Sequence, residues 1–460
     1  MKWSKKQLST LLIVAITSFM GTFLISSINI ALPSIESSLG LDAVSLSWII
    51  TAFLLAMAIF LLPIGRLGDI SGVERIYKIG LIIFTISTLM SGLAASGNWL
   101  IITRFLQGIG AALTSTTGSA ILVSGFPSKE RGKVLGYSVS AVYLGLAVGP
   151  FIGGIITQHV GWRYVFFASF LFGLIATIVS FVFLKKKENF SFQELKKINF
   201  KGTVFFVLGL IGLVYGSSQI PALFGWILMG AGVVFLIIFW MMESRSDFPM
   251  VDTKLFTKNK LFAFSNVAAL INYTATSAIV FFLSLYLQKI QGFSPQQAGT
   301  ILIAQPLMMT MFSPMVGRLS DRIEPRYLAT AGMAMCAIGL TFLAFIHANT
   351  PVSVIVAILL WVGLGFALFS SPNMNTIMSS VDLTQYGQAS GSASSMRVLG
   401  QITGMTIITL LFAGLFTGDS IENVSNSLFL TAMKWGFIIF ALISYTGIYF
   451  SIKRGNVVRE

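Results

Sequence analysis

Apolar stretches of about 20 residues, each closed by a short polar or charged segment, repeat along the whole chain; that is the length at which an α-helix crosses a bilayer. Roughly fourteen can be placed, centred near residues 21, 57, 86, 111, 145, 174, 210, 232, 275, 307, 337, 363, 401 and 440. The pattern predicts an all-α polytopic membrane protein of fourteen spans. An even count puts both termini on one side. The first run is long enough to span and continues to Pro33 without a small-residue cleavage site, so it is expected to stay as a signal anchor.

The pattern is also duplicated. Gly65-Arg66-Leu67-Gly68-Asp69 returns 252 residues later as Gly317-Arg318-Leu319-Ser320-Asp321, and Gly132, Gly136, Gly145 and Gly149 return 255 residues later as Gly387, Gly391, Gly400 and Gly404. Two related halves, with a substrate site between them near the membrane midplane, are the build of a secondary transporter. The charged run KKKENFSFQELKKINFK at 185–201 interrupts the hydrophobicity and marks the best boundary. The expected division is 1–184 as a six-helix half, 185–260 as a charged loop with two inserted helices, and 261–460 as a second six-helix half.

Composition agrees. Hydrophobic residues are 55% of 460 and charged residues 10%, with a mean hydropathy of +0.86, which leaves too little polar surface for a soluble fold. The formal net charge of +14 is a matter of topology, because 25 of the 30 Lys and Arg fall in alternate loops on one side. The positive-inside rule makes that side cytoplasmic. Glu36, Asp42, Asp419 and Glu422 lie opposite. The lipid bilayer is thus the expected partner for this surface, and nucleic acid is not. One cysteine, Cys336, excludes a disulfide framework, and His159 with His347 are too few to argue a metal site. No cofactor is indicated.

Several motifs sharpen the reading. GRLGDISGVER at 65–75 resembles the loop between spans two and three of the major facilitator superfamily, with Glu74 where a basic residue is usual. Arg104-Phe105-Leu106-Gln107-Gly108 is similar to that superfamily's span-four motif, and Gly145 to Gly154, with Gly149, Pro150 and Gly153, resembles its span-five antiporter motif. Trp48 to Phe53, Tyr286 to Gly292 with Ser294-Pro295, and Arg397 to Gly400 resemble the fourteen-span drug:proton antiporter branch, which includes multidrug and tetracycline exporters. The resemblance implies the major facilitator fold, two six-helix halves plus two inserted linker helices. It also implies a cell-membrane exporter of small lipophilic or amphipathic molecules working by alternating access as an antiporter, with protons as a candidate partner. Gly65, Asp69, Arg75, Asp321 and Arg322 are the expected gate on the cytoplasmic side.

Residues at membrane depth are read on physical grounds. Gly145, Gly149 and Gly153 share a helical face that lets a neighbour approach, and Pro150 removes a backbone donor. Ser18, Thr22, Ser26 and Asn29 form a polar stripe on span one that is expected to line the cavity, with helix back-bonding as the rival. Asn266, Asn272, Tyr273, Gln305 and Gln401 add polar groups that need partners in hydrocarbon. Arg104, Lys434 and Arg397 bring cations into spans, the last about 15 Å deep, where each charge costs about 2.5–3.5 kcal/mol and usually marks a site; the rivals are carbonyl bonding near span five for Arg104 and snorkelling for Lys434. All 16 Asp and Glu are assigned to loops or helix ends. Span one has Leu24 and Ile25 where the resemblance implies an acid before Asn29-Ile30-Ala31-Leu32-Pro33. The cationic interior therefore points to an anionic or acceptor-rich neutral substrate. An anion or lipid-like exporter without proton coupling and a non-transporting receptor remain alternatives; an enzyme is not expected, since no acid or histidine converges at depth.

Overall fold

The structure, a computed structural model, describes residues 3–127, 130–184, 199–246, 249–320, 322–382, 385–416 and 418–456, without the side chains of 6, 65–71, 123, 131–133, 135 and 387. The described residues form helices α1 (Lys5–Leu39), α2 (Ala43–Ser71), α3 (Val73–Gly92), α4 (Gly97–Gly125), α5 (Arg131–His159) and α6 (Arg163–Phe183). Next come α7 (Phe200–Ser218), α8 (Leu223–Ser244) and the short α9 (Thr253–Lys258). A second series follows: α10 (Lys260–Leu285), α11 (Pro295–Leu302), α12 (Ala304–Ser320), α13 (Pro325–Ala344), α14 (Val352–Ser379), α15 (Tyr386–Leu415) and α16 (Asn426–Lys453). Twelve spans among the described residues are long and apolar enough to cross a membrane, with α11 and α12 together counted as one. The expected fourteen is not reached, because α3 and α4 fall outside that set. Glu74, Arg75 and Lys78 open α3, and α4 carries Arg104 among many Gly, Ser and Thr residues.

Helix ends follow local chemistry. Ser4 with Gln7 and Ser294 with Gln297 form capping boxes, each satisfying donors at both ends of one turn. Gly40 closes α1 at φ 62°, and Asp42 then caps α2 through Ser45 N–H at 2.6 Å. Gly292 at φ 69° and Ser294 repeat that turn before α11, offset by 252.

Within the repeats the packing is also duplicated. A Cβ on Gly145 would meet the Phe19 carbonyl and Thr22, and one on Gly149 would meet Phe23 and Ser26; Gly400 and Gly404 face Leu270, Tyr273, Thr274 and Ser277 in the same way. Those pairs, Phe19 to Leu270 and Thr22 to Tyr273 among them, are offset by 251. The change from 251 to 252 falls across the π-helical turn at Tyr286–Ile290, closed by Gln291 N–H to the Tyr286 carbonyl at 3.1 Å. A π turn accommodates one extra residue. α5 and α15 thus lean on α1 and α10 through matched glycines.

Candidate substrate site

Between the two helical series, the end remote from the chain termini is shut. A Cβ on Gly299 of α11 would lie 2.1 Å from the Pro150 carbonyl of α5, and one on Gly154 would lie 2.5 Å from the Pro295 carbonyl. Backbones touch there. On the pseudo-equivalent side, Ser47 of α2 and Thr409 of α15 share a hydrogen bond of 2.9 Å. Pro33 has no N–H to give the Asn29 carbonyl, four residues earlier. Ser284 of α10 donates to that freed carbonyl at 2.5 Å, and Gln288 donates to the Ile30 carbonyl at 3.0 Å.

Deeper in the bundle, one cluster draws on both series. Tyr143 of α5 shares a hydrogen bond of 3.2 Å with Ser370 of α14. The Tyr273 phenol interacts with Tyr143, Ser370 and the Arg397 guanidinium, and its ring packs edge-on against Phe366 at 5.4 Å. Tyr143, Tyr273 and Arg397 lie 11 to 13 residues from the starts of their helices, about 17–20 Å along the axis and so near the membrane midplane. Tyr143, Tyr273, Ser370, Arg397 and Gln401 are all partly exposed. Among the described residues, Arg397 interacts with the Tyr273 phenol and has no ion-pair partner. A guanidinium with no carboxylate partner among the described residues, beside two phenols, a hydroxyl and an aromatic ring, is a set of donors and flat apolar faces suited to an acceptor-bearing ring compound.

Other expected cavity residues lie elsewhere. Ser26 is buried in the α1–α5 seam, donating to the Phe23 carbonyl and, at 3.3 Å, to that of Gly145; Thr22 donates to Val142 and Ser18 pairs with Ser138. The polar stripe of α1 is glue between helices. Its companion Asn29 donates to the Ile25 carbonyl at 2.9 Å, within its own helix. Arg104 is 1% exposed, stacks on Phe53 at 4.5 Å, donates to the Ile49 carbonyl at 3.0 Å and bonds Gln107, which reaches Thr88. It is bound inside the first series, and its carbonyl partner comes from α2, not span five. Lys434 is exposed on α16 beside the face that buries Phe429, Met433 and Phe437, where its stem can snorkel.

Asn266 is fully buried and bonds back to the Phe262 carbonyl with Oδ1 unpartnered, Asn272 is buried beside the Cys336 thiol, and Gln305 leaves Oε1 unpartnered. Among the described residues, none of these three shares a hydrogen bond with the Arg397 cluster. Gly65, Asp69 and Asp321 lie outside the described side chains, while Arg75 and Arg322 are exposed at the end bearing the termini. At that same end Arg454 is buried on Asn373 Oδ1 at 2.7 Å, and burial pushes its guanidinium down to about 10. Among the described residues, no grouping of three or more His, Cys, Asp or Glu could hold a metal.

Sequence reasoning missed Tyr143, Ser370 and Phe366, whose convergence depends on how α5 meets α14. It also placed Glu36 in an outer loop region, whereas its carboxylate is buried against the segment between α15 and α16.

A family model described as Major Facilitator Superfamily matches residues 11–405 and again 265–457. The chain is 29% identical to riboflavin transporter RibZ of Clostridioides difficile, covering 97% of each protein. It is 28% identical to multidrug resistance protein Stp of Mycobacterium tuberculosis over 89% of this chain and 76% of that protein. Against cephamycin export protein CmcT of Amycolatopsis lactamdurans it is 29% identical over 91% and 88%. Among solved structures, a bacterial homologue of the human lysosomal transporter Spinster, in an inward-facing unoccupied conformation, shares the fold with a TM-score of 0.65 at 14% identity, covering 98% of each chain. A helical bundle with duplicated packing, matched by that family model along nearly its whole length, is a multi-pass membrane transporter and no enzyme: the chain belongs to the Major Facilitator Superfamily.

Proposed function

We propose that this protein exports lipophilic or amphipathic organic molecules from the cell by alternating access as an antiporter, and that its preferred substrates are anionic or neutral with strong acceptor groups. The observation carrying the substrate class is Arg397, half-buried beside Tyr143, Tyr273, Ser370 and Phe366 with no carboxylate partner among the described residues. A bound acceptor is the economical partner for that charge. Relatives named for riboflavin, multidrug resistance and cephamycin export support a small-molecule cargo. The runner-up, export of anionic or lipid-like compounds without proton coupling, draws on the absence of an acid at Leu24 and Ile25.

The remaining assignments rest on the same frame. The basic loops support a cell-membrane location with both termini cytoplasmic. The divisions 1–184, 185–260 and 261–460 follow the two helical series, with α7 and α8 as inserted helices. α3 and α4 complete fourteen spans, since each packs closely on neighbouring spans at Gly80, Gly108 and Gly110. Asp69 and Asp321, at equivalent places in the repeats, act with Arg75 and Arg322 to hold the cytoplasmic end when it closes. Substrate counterflow in proteoliposomes, with and without an imposed pH gradient, tests the reading across anionic, neutral and cationic aromatic compounds. Anionic and neutral compounds should exchange, and a pH gradient should drive their accumulation. Tight binding of a permanent cation, undiminished at low pH, would overturn the substrate class, and exchange indifferent to the gradient would favour the uncoupled reading.

A further inference from the structure

Glu36 is the only acidic residue of α1, lies one turn from its end and is 4% exposed. Its Oε1 accepts the backbone N–H of Ile421 and, at 3.3 Å, that of Glu422, both in the segment that joins α15 to α16. One carboxylate thus ties the first helical series to the second. Beside it the Ala43 N–H donates to the Asp419 carbonyl at 3.1 Å, and Lys289 Nζ donates to the Glu422 carbonyl at 3.0 Å. The charged groups around Glu36 are Lys289, which attracts it, and the Glu422 side chain, which repels it. Asp42 is engaged in capping α2, Asp419 contributes its carbonyl, and Arg163 of α6 reaches Ser38 at 3.4 Å and the Ala94 carbonyl at 2.9 Å.

The repeat adds a comparison within the molecule. Counted from Gly40 and Gly292, the counterpart of Glu36 is Gln288, which fastens the second series to the first through the Ile30 carbonyl at 3.0 Å. Both copies of this position therefore latch the closed end, and only the first can take up a proton. Two backbone N–H groups converge on the Glu36 oxygen, and a charged acceptor holds such donors about twice as strongly as a neutral one. A proton on the carboxyl weakens those bonds and leaves its own O–H facing donors.

We propose that Glu36 is a proton-binding site of the transport cycle: ionised, it latches the end remote from the termini, and protonation from that side releases it. This rests on the antiport reading above and locates its proton. The proton is added to a carboxylate oxygen from external water and leaves through the cavity to water at the end bearing the termini before the ionised latch re-forms, so one proton moves inward per cycle and no further reactant is needed.

The test uses the full chain in lipid nanodiscs with Cys336→Ala, spin labels at Ser37→Cys and Asn423→Cys, and pulsed distance measurements from about pH 8 to about pH 5. The long-distance population should rise at least about two-fold on acidification through weakening of one charge-assisted contact. Glu36→Gln should raise it at all pH values and abolish the response. Glu36→Asp, which keeps an ionisable group, and Glu422→Gln, which keeps the backbone N–H, should both retain the response. A response surviving in Glu36→Gln, or lost in Glu422→Gln alone, would overturn the proposal. If Glu36→Gln does not fold, an Asp variant without any pH response would overturn it and one whose response is shifted in pH would support it. Because the readout needs neither substrate nor gradient, a transporter shown to be uncoupled in counterflow would refute the antiport reading while leaving this distance result to be judged separately.

Discussion

Arg397 concentrates the argument about substrate into one side chain. It is half-buried near the midplane, beside the Tyr273 phenol and, among the described residues, without an ion-pair partner. A hydrogen bond to a charged group contributes about 1.5–3 kcal/mol, so Arg397→Gln should weaken binding of an anionic substrate about ten- to hundred-fold. For a neutral analogue of the same size the loss should be several-fold smaller, since only the anion loses the charge. Isothermal titration of both ligands against the purified variant checks this; equal losses would make Arg397 a packing residue. Arg104 shows why a cation at depth is not enough. Its partners Ile49, Gln107 and Phe53 all belong to its own series, and a charge so occupied has little left for a ligand. Sequence placed both arginines in spans but could not separate them, because periodicity marks which face a residue shares and is silent on what that face meets.

At the level of helices, the glycines separate stability from gating. A Cβ at Gly149 would meet Ser26 Oγ at 1.8 Å, inside the α1–α5 seam. Overpacking there costs about 1–3 kcal/mol, against a gain in helix propensity near 1 kcal/mol. Gly149→Ala should lower the melting temperature in detergent by a few degrees. At Gly299 the obstacle is the Pro150 carbonyl at 2.1 Å, and it belongs to the other series. Backbone cannot rotate aside, but the two bodies can part. Gly299→Ala should therefore leave the melting temperature nearly unchanged, shift labels at 158 and 296 to longer distances, and slow transport. Identical melting losses in both variants would refute the distinction. The sequence showed the glycine face and its repeat, but not that one edge serves the seam within a series and the other the contact between series. Nor did it show that the polar stripe of α1 bonds across to α5. The shift from 251 to 252 was out of reach as well, since a π turn leaves no motif of its own.

For the whole molecule, the duplicated build fixes what must move. Opening the end remote from the termini requires breaking the α5–α11 and α2–α15 approaches and the bonds from Ser284 and Gln288 to the Asn29 and Ile30 carbonyls together, because all tie the same two bodies. The charge asymmetry supports the proposed topology, with that end outside. In intact cells with Cys336→Ala, an impermeant thiol reagent should label exposed Asp419→Cys and spare exposed Lys453→Cys, and the reverse would invert the topology. Fold class, duplication and charge asymmetry were legible because hydrophobicity and repeats are written locally. The buried state of Glu36 was not, since an acid four residues from a glycine turn reads as solvent-facing until the segment between α15 and α16 folds over it.

The proposed alternating access then gives a decisive constraint. Gln158 of α5 accepts from the Gln296 N–H of α11 at 3.3 Å, and His159 pairs with the Gln296 side chain at 3.2 Å. Cysteines at 158 and 296 joined by a short, reducible bifunctional thiol reagent would hold the remote end shut. Both bodies must separate there once per cycle if the substrate is to leave on that side. Exchange should therefore fall to background on cross-linking and return on reduction. The same reagent across positions 291 and 348, joined within the second series by Gln291 Nε2 to the Ala348 carbonyl at 2.9 Å, should leave exchange intact. Substrate should still bind to the cross-linked protein from the end bearing the termini, because the Tyr143–Ser370 contact lies away from the bridge. Transport that continued through the 158–296 cross-link would mean the substrate leaves by a lateral path between helices, and the rocking of two related bodies would no longer account for this protein.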